Sequence, residues 1–344
     1  MKFTVKQEEF NKALQNLVRN TTEKLDFYKT IKIEQHSNDR LKLTATNGIV
    51  TMICKVPAVN VNGEPVLINA RKLSDIVARL TGNITFDNGV LKCGKSKIKL
   101  EMENPEHFIP VEELECVLNE IDATEFKNAL KGRLFACDVV SQSILSGICI
   151  NNRNVASTNG NMLALYELYY DLPFDTDIII NNKLALEIVK CFEGETIKVG
   201  LNNKQIVLLD DNVTIYSRLI DGQFPKYKQL IPRPEHTVKL DKSLIISNLE
   251  LLNITTDDKN KHCTFVFDEN KLSLVTLNGE SEVEIEYNET PMKISFNISY
   301  LLNVLKNIDS DVVDFGFTTP LSACLVQAGQ ETSLIMPMQI KNLT

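Results

Sequence analysis

One octet makes the most formal claim to chemistry. Gly89-Val90-Leu91-Lys92-Cys93-Gly94-Lys95-Ser96 fits G-x-x-x-x-G-K-[ST], the loop whose backbone amides cradle phosphates. That chemistry needs a strand before the loop and a helix after it, with the helix N-terminus facing the phosphates. Here the loop is followed by "KIKLEME" (97–103), which alternates with a period of two, and then by the acidic "EMENPEH". A β-hairpin turning at glycine fits the segment better than a nucleotide hydrolase built on Gly94, Lys95 and Ser96. The four histidines (His36, His107, His236, His262) share no ligand spacing with one another or with a cysteine. No G-x-S-x-G turn appears, and the carboxylates form no paired cluster. The reading is a non-enzyme, with no catalytic residue, metal or cofactor expected.

Cations at helical spacing carry more weight. Lys127 and Lys131 are i,i+4 neighbours beside Phe126 and Leu130, with Arg133 close by. Lys72 and Arg79 lie about two turns apart with Arg71 adjacent, and Lys190 and Lys306 follow two further apolar stripes. One such residue is a solvated helix face. Recurrence on similar helices predicts a surface that meets phosphates without reading bases.

The elements that position these cations repeat. Asn-Gly pairs place Asn47, Asn159 and Asn278 at separations of 112 and 119 residues. "NARKLSDIVARL" (69–80), "NNKLALEIVKCF" (181–192) and "NISYLLNVLKNI" (297–308) each open with an Asn suited to an N-cap and continue with a helical stripe. "KQEEFNKALQNL" (6–17), "DATEFKNALKGRL" (122–134) and "DKSLIISNLELL" (241–252) give each unit an opening helix, with Phe10 and Phe126 in register. "EHFIP" and "GQFPKY" close the first two units. Alternating stretches between them, "TIKVGL" (196–201), "QIVLLDDNVTIYSRLI" (205–220) and "EVEIEY" (282–287), read as strands. Four markers in one order predict an α+β fold. It has three tandem copies of a domain of two helices packed on antiparallel sheet, over 1–118, 119–236 and 237–344.

Composition agrees. The 344 residues are 43% hydrophobic and 24% charged, with no apolar run long enough to span a membrane. "MKFTVKQEEF" lacks the apolar core of a signal peptide, and eight scattered cysteines suit buried thiols in a reducing compartment. The cytoplasm is expected. Net charge is -8, which argues against a simple basic DNA-coating protein. The closing "SLIMPMQI" (333–340) is apolar and rich in methionine, a composition that serves adaptable partner surfaces, and Pro337 would interrupt ladder pairing there.

Together these residues resemble the β subunit of bacterial DNA polymerase III, the sliding-clamp family of processivity factors. "RLIDGQFPKYKQLIP" (218–232), "FNISYLLNVL" (296–305) and "LIMPMQI" (334–340) carry the resemblance most specifically, and "ASTNGNMLAL" (156–165) is similar to the family's A-T-D-G-H-R-L-A segment. The resemblance implies a head-to-tail homodimer, a ring of six clamp domains around duplex DNA. It also implies a peptide-binding pocket between the second and third domains for the replicative polymerase, the clamp loader and other proteins that carry a clamp-binding motif.

Carried over by residue, that pocket takes Leu145, Thr158, Gly160, Asn161, Met162 and Leu163 from the middle domain. Pro225, Gln229 and Leu230 come from the linker. Asn297, Tyr300, Leu321, Ala323, Leu334, Ile335, Met336, Pro337 and Met338 come from the last domain. Asn161-Met162 replaces the usual His-Arg, and Gln229 and Gln339 stand where Arg is frequent, so preference should shift away from acidic flanking residues. Expected DNA contacts are Lys24, Arg71, Lys72, Arg79, Lys127, Lys131, Arg133 and Lys190. Phe108 and Ile254 are the expected apolar contacts of ring closure. The alternative is a monomeric peptide-binding scaffold of the same fold that no longer encircles DNA.

Overall fold

Asparagine side chains start the second helix of each repeat, as the N-cap spacing predicts. The computed structural model describes residues 1–22, 28–108, 114–138, 140–141, 143–202, 204–257 and 261–339, so Lys24 lies outside the described residues. Among the described residues six α-helices form: α1 (Gln7–Val18), α2 (Ala70–Val77), α3 (Ala123–Lys131), α4 (Asn182–Cys191), α5 (Lys242–Ile254) and α6 (Ile298–Lys306). Before α2 the Asn69 side chain accepts from the Lys72 amide, and before α6 Asn297 accepts from Ser299 and Tyr300. Asn181 does the same for the Lys183 amide at 2.8 Å. Each bond satisfies a donor that the first helical turn leaves without an internal partner.

Two compact units emerge: Met1–Thr124 with Glu187–Leu219, and Glu125–Leu186 with Ile220–Thr344. In the first unit a five-stranded sheet ends at the edge strand Ser96–Lys99. Its eight-stranded sheet joins the hairpin Gln205–Leu209 and Val213–Arg218 to Val50–Pro57 and Arg40–Thr46. The second unit likewise has an eight-stranded sheet, in which Met162–Glu167 pairs with Glu331–Ile335, and a four-stranded sheet edged by Gly279–Glu284. Every pairing is antiparallel. The middle sequence repeat therefore gives four strands to each eight-stranded sheet, which makes two compact units out of three repeats. The second unit's core is aromatic: Phe267 and Phe317 stack at 4.5 Å, with Phe265, Phe296 and Phe315 around them.

The octet of phosphate-loop form is a hairpin. Val90–Cys93 pairs with Ser96–Lys99 around Gly94 at φ +54°, so a strand and not a helix follows the glycine. "KIKLEME" is a strand only to Lys99, and "EVEIEY" only to Glu284. Beyond Glu284 the chain folds onto the Asn270 turn, where Asn270 and Tyr287 share a backbone bond of 2.9 Å.

The first two Asn-Gly pairs are one structure twice. Asn47 accepts from the Ile49 and Val50 amides, and Asn159 from Asn161 and Met162, while Gly48 and Gly160 sit at φ +87° and +86°. The third echo is different. Asn278 lies in a two-residue turn between the paired Thr276 and Gly279, and its amide donates to the Thr255 carbonyl at 2.9 Å.

Candidate functional site

A shared strand pair brings most of the expected pocket residues together within the second unit. Met162 faces Ile335 and Leu163 faces Leu334 across the ladder, and Cys324–Ala328 flanks the same strand from the other side. Side chains alternate between faces. Leu163, Leu334 and Leu325 therefore join one apolar cluster with Cys149, Ala156, Ile179, Phe224 and Tyr227, against which Leu145 and Ile144 pack. Met162 and Ile335 point to the opposite face, into the aromatic core, where Ile335 is 0% exposed. Those two are core residues and not pocket lining, a correction that the period of two requires.

Several apolar side chains of the expected pocket are left in solvent: Leu230 is 60% exposed, Leu321 59%, Met336 45% and Met338 39%. Pairing stops at Ile335, before Pro337, as that proline requires. The chain end is still tethered, because the Met336 amide donates to the Asn161 carbonyl at 2.9 Å and the Met338 amide to Ser295 at 2.7 Å. Thr158 spends its hydroxyl on the Met162 carbonyl, and the Gly160 amide bonds to Thr158, so these two shape the turn. Asn297 is occupied by capping α6, and Tyr300 packs against the aromatic core. Pro225 and Gln229 are exposed beside Phe224 and Tyr227, with Ala323 half-buried. Phe224 and Tyr227 are the floor residues that sequence reasoning left out, although "GQFPKY" contains both.

The cations sort by burial. Arg71, Lys72, Arg79, Lys131 and Lys190 are exposed, and Lys127 is half-buried. Lys72 has Glu101 at 3.6 Å, both well exposed, a contact that contributes little. Arg133 is a correction. It is 1% exposed and donates to Glu331 at 2.6 Å, so it meets no phosphate. Burial pulls its pKa below the usual guanidinium range, against the opposing pull of Glu331. Phe108 is a second correction: it is buried in its own unit and offers no surface contact, whereas Ile254, the last residue of α5, is 81% exposed.

The eight cysteines are free thiols, all buried but Cys116. Burial pushes Cys54, Cys137, Cys149, Cys263 and Cys324 up to about 12, which leaves them protonated and inert at neutral pH. No group of three or more His, Cys, Asp or Glu suited to a metal occurs among the described residues.

Known proteins match along the whole length. Models of the DNA polymerase III beta subunit fit residues 1–112 as its N-terminal domain, 120–226 as its central domain and 228–339 as its C-terminal domain. The beta sliding clamp of Pseudomonas aeruginosa is 27% identical over 373 residues, covering 99% of this chain and 100% of that one. That of Haemophilus influenzae is 24% identical over 340 residues, covering 90% and 87%. The crystal structure of the Pseudomonas aeruginosa subunit superposes with a TM-score of 0.90 at 24% identity over 99% of this chain and 100% of that one. The Thermotoga maritima subunit gives 0.90 at 17% over 98% and 99%. With family models fitted to all three of its repeats, this chain belongs to the DNA polymerase III β-subunit family.

Proposed function

We infer that this chain is a DNA sliding clamp, in which two copies close into a ring around duplex DNA and tether the replicative polymerase. The observation that carries this reading is the tandem run of three clamp-domain matches from residue 1 to 339. The domains run 1–118, 119–236 and 237–344. The ring holds DNA topologically and acts without catalysis, and exposed Arg71, Lys72, Arg79, Lys131 and Lys190, with Lys127, grip phosphates loosely enough to slide. No helix among the described residues is long and apolar enough to cross a membrane. A clamp that tethers the replicative polymerase to DNA works in the cytoplasm.

Two edge strands support head-to-tail closure. Ser96–Lys99 exposes Lys97 and Lys99 just after Lys95, while Gly279–Glu284 exposes Glu280, Glu282 and Glu284 just before Glu286. Opposite charges at two-residue spacing on free edges suit strand addition between protomers. Ile254, Leu251 and Leu277 add exposed apolar surface near the second edge. In the peptide pocket, Leu163 and Leu334 form the floor and Leu230, Leu321, Met336 and Met338 receive the Leu and Phe side chains of a short clamp-binding segment. Polymerase, clamp loader and other clamp-binding proteins would share it.

The test is retention on DNA. Protein is loaded onto nicked circular plasmid with a clamp loader and washed at about 0.5 M salt, where phosphate contacts are largely screened. Retention on circles with loss from linearised DNA is the expected result. Equal loss from both would leave the monomeric scaffold instead.

A further inference from the structure

The residue displaced from the DNA-facing set holds the key to the pocket's shape. Tyr166 and Glu331 are direct cross-strand partners at one end of the five-residue ladder whose other end is Met162 and Ile335. Arg133 touches both. Its guanidinium lies over the Tyr166 ring at 5.2 Å and bonds Glu331 Oε1 at 2.6 Å. Glu331 Oε2 accepts from the Asp309 amide at 2.6 Å, so each carboxylate oxygen has its own donor. Arg133 is itself fixed, since its carbonyl accepts from the Ser157 hydroxyl at 2.5 Å. A second tie lies alongside: Tyr166 Oη donates toward Glu125 at 3.1 Å, and Gln330 Nε2 donates to Glu125 at 3.0 Å.

We propose that Arg133 and Glu331 form a buried register pin that positions the peptide pocket by fixing the strand Glu331–Ile335 against Met162–Glu167. The proposal rests on the pocket reading above. Its logic is the alternation of side chains. A slip of one residue would turn Leu334 away from Leu163 and carry Ile335 into its place. Stability alone does not explain the pair. The Nε and Nη1 atoms of Arg133 are buried without a hydrogen-bond partner, so the desolvated charge is only partly compensated. An apolar pair of similar volume would stabilise the site as well, but it would impose no direction and no register. The pair also reaches the proposed DNA side, because Arg133 stands two residues beyond α3, which carries Lys127 and Lys131. Arg133 is thus a positioning residue, acting on bound peptide through the strand it holds.

The experiment compares wild type with the double variant Arg133→Leu/Glu331→Leu and with Glu331→Gln. Binding of a fluorescein-labelled peptide carrying Leu and Phe is read by anisotropy, folding by thermal midpoint, and strand order by hydrogen exchange of the amides of 331–336. The double variant should keep its midpoint and bind the peptide at least tenfold more weakly, with faster exchange in that strand. Glu331→Gln guards against a double variant that does not fold. It keeps the shape but offers one acceptor oxygen to two donors, and should bind several-fold more weakly with the fold intact. Wild-type affinity in folded variants would overturn the pin. A wild type that binds no such peptide would instead overturn the pocket reading.

Discussion

Two junctions in this chain share a backbone plan and differ in what they show to solvent. In the first unit an Asn47-Gly48 turn leads into Val50–Pro57, which pairs with Val213–Arg218. In the second, Asn159-Gly160 leads into Met162–Glu167, which pairs with Glu331–Ile335. Even the next backbone bond recurs, from the Arg218 amide to the Ile49 carbonyl at 3.2 Å and from Met336 to Asn161 at 2.9 Å. The side chains diverge. Thr51 faces Tyr216 where Leu163 faces Leu334, and Arg218 leaves the first ladder where Met336 leaves the second. One plan thus yields a polar seam and an apolar floor. The backbone supplies the stage at both places, and a few outward side chains decide that the second presents an apolar floor.

The largest effect tests that floor. Leu334→Ala removes a buried side chain and should cost about 2–5 kcal/mol in stability as well as peptide binding. Its counterpart Tyr216→Ala, at a half-buried site, should cost less and leave peptide affinity within about twofold. Urea unfolding and anisotropy on both variants decide it. Equal losses of peptide affinity would mean that the two junctions are not functionally distinct.

The turns allow a sharper comparison, because the same conformation sits in different surroundings. An alanine at either glycine carries the left-handed penalty of about 1–2 kcal/mol. At Gly48 the added Cβ would run into the Tyr28 ring and its Oη, whereas at Gly160 nothing lies within 4 Å. Gly48→Ala should therefore be the more destabilising, and Gly160→Ala the one that weakens peptide binding. The reverse order of melting temperatures would break the equivalence of the two turns.

Much of this plan is legible in the sequence, and what is not has a physical reason. Asn-Gly turns, Asn caps and helical stripes are local, so residues a few positions apart reveal them. Strand alternation also speaks: Leu334 and Ile335 are adjacent and so must face opposite ways, which the sequence reading of the pocket did not use. Arg133 misleads because it stands six residues from Lys127 and two from Lys131, as though on the same helix. Yet α3 ends at Lys131, so helical spacing no longer fixes its direction. Its partner Glu331 is 198 residues away, a pairing that no local pattern encodes. Phe108 misleads in the same way, since an apolar residue in a loop gives no local sign of whether it turns outward or into its own unit.

A smaller effect separates turn from pocket. Asn47→Ala and Asn159→Ala each remove an oxygen that accepts from two backbone amides, and each should cost about 1 kcal/mol. Only Asn159→Ala should also weaken peptide binding, because its turn sets the Asn161 carbonyl that holds Met336. Peptide affinity reduced equally by the two variants would mean that the turns act on global stability alone.

The smallest change in stability falls at the solvent-facing residues, and there the comparison is cleanest. Ile49 is 45% exposed beside the polar seam, and Leu230 is 60% exposed beside the apolar floor. Neither side chain gains much from folding, so Ile49→Ala and Leu230→Ala should both leave stability within about 0.5 kcal/mol. They should part company in binding. Leu230 shares the turn Tyr227–Leu230 with a floor residue, and its apolar surface is free for a peptide to cover, at about 25 cal/mol per Å² removed from water. Ile49 has Thr51, Tyr216 and Arg218 near it in the ladder. Leu230→Ala should therefore weaken the labelled peptide several-fold while Ile49→Ala leaves it unchanged. If Leu230→Ala also left binding unchanged, the peptide would have to sit elsewhere on the floor, toward Leu321 and Met338, and the same measurement on those two residues would locate it.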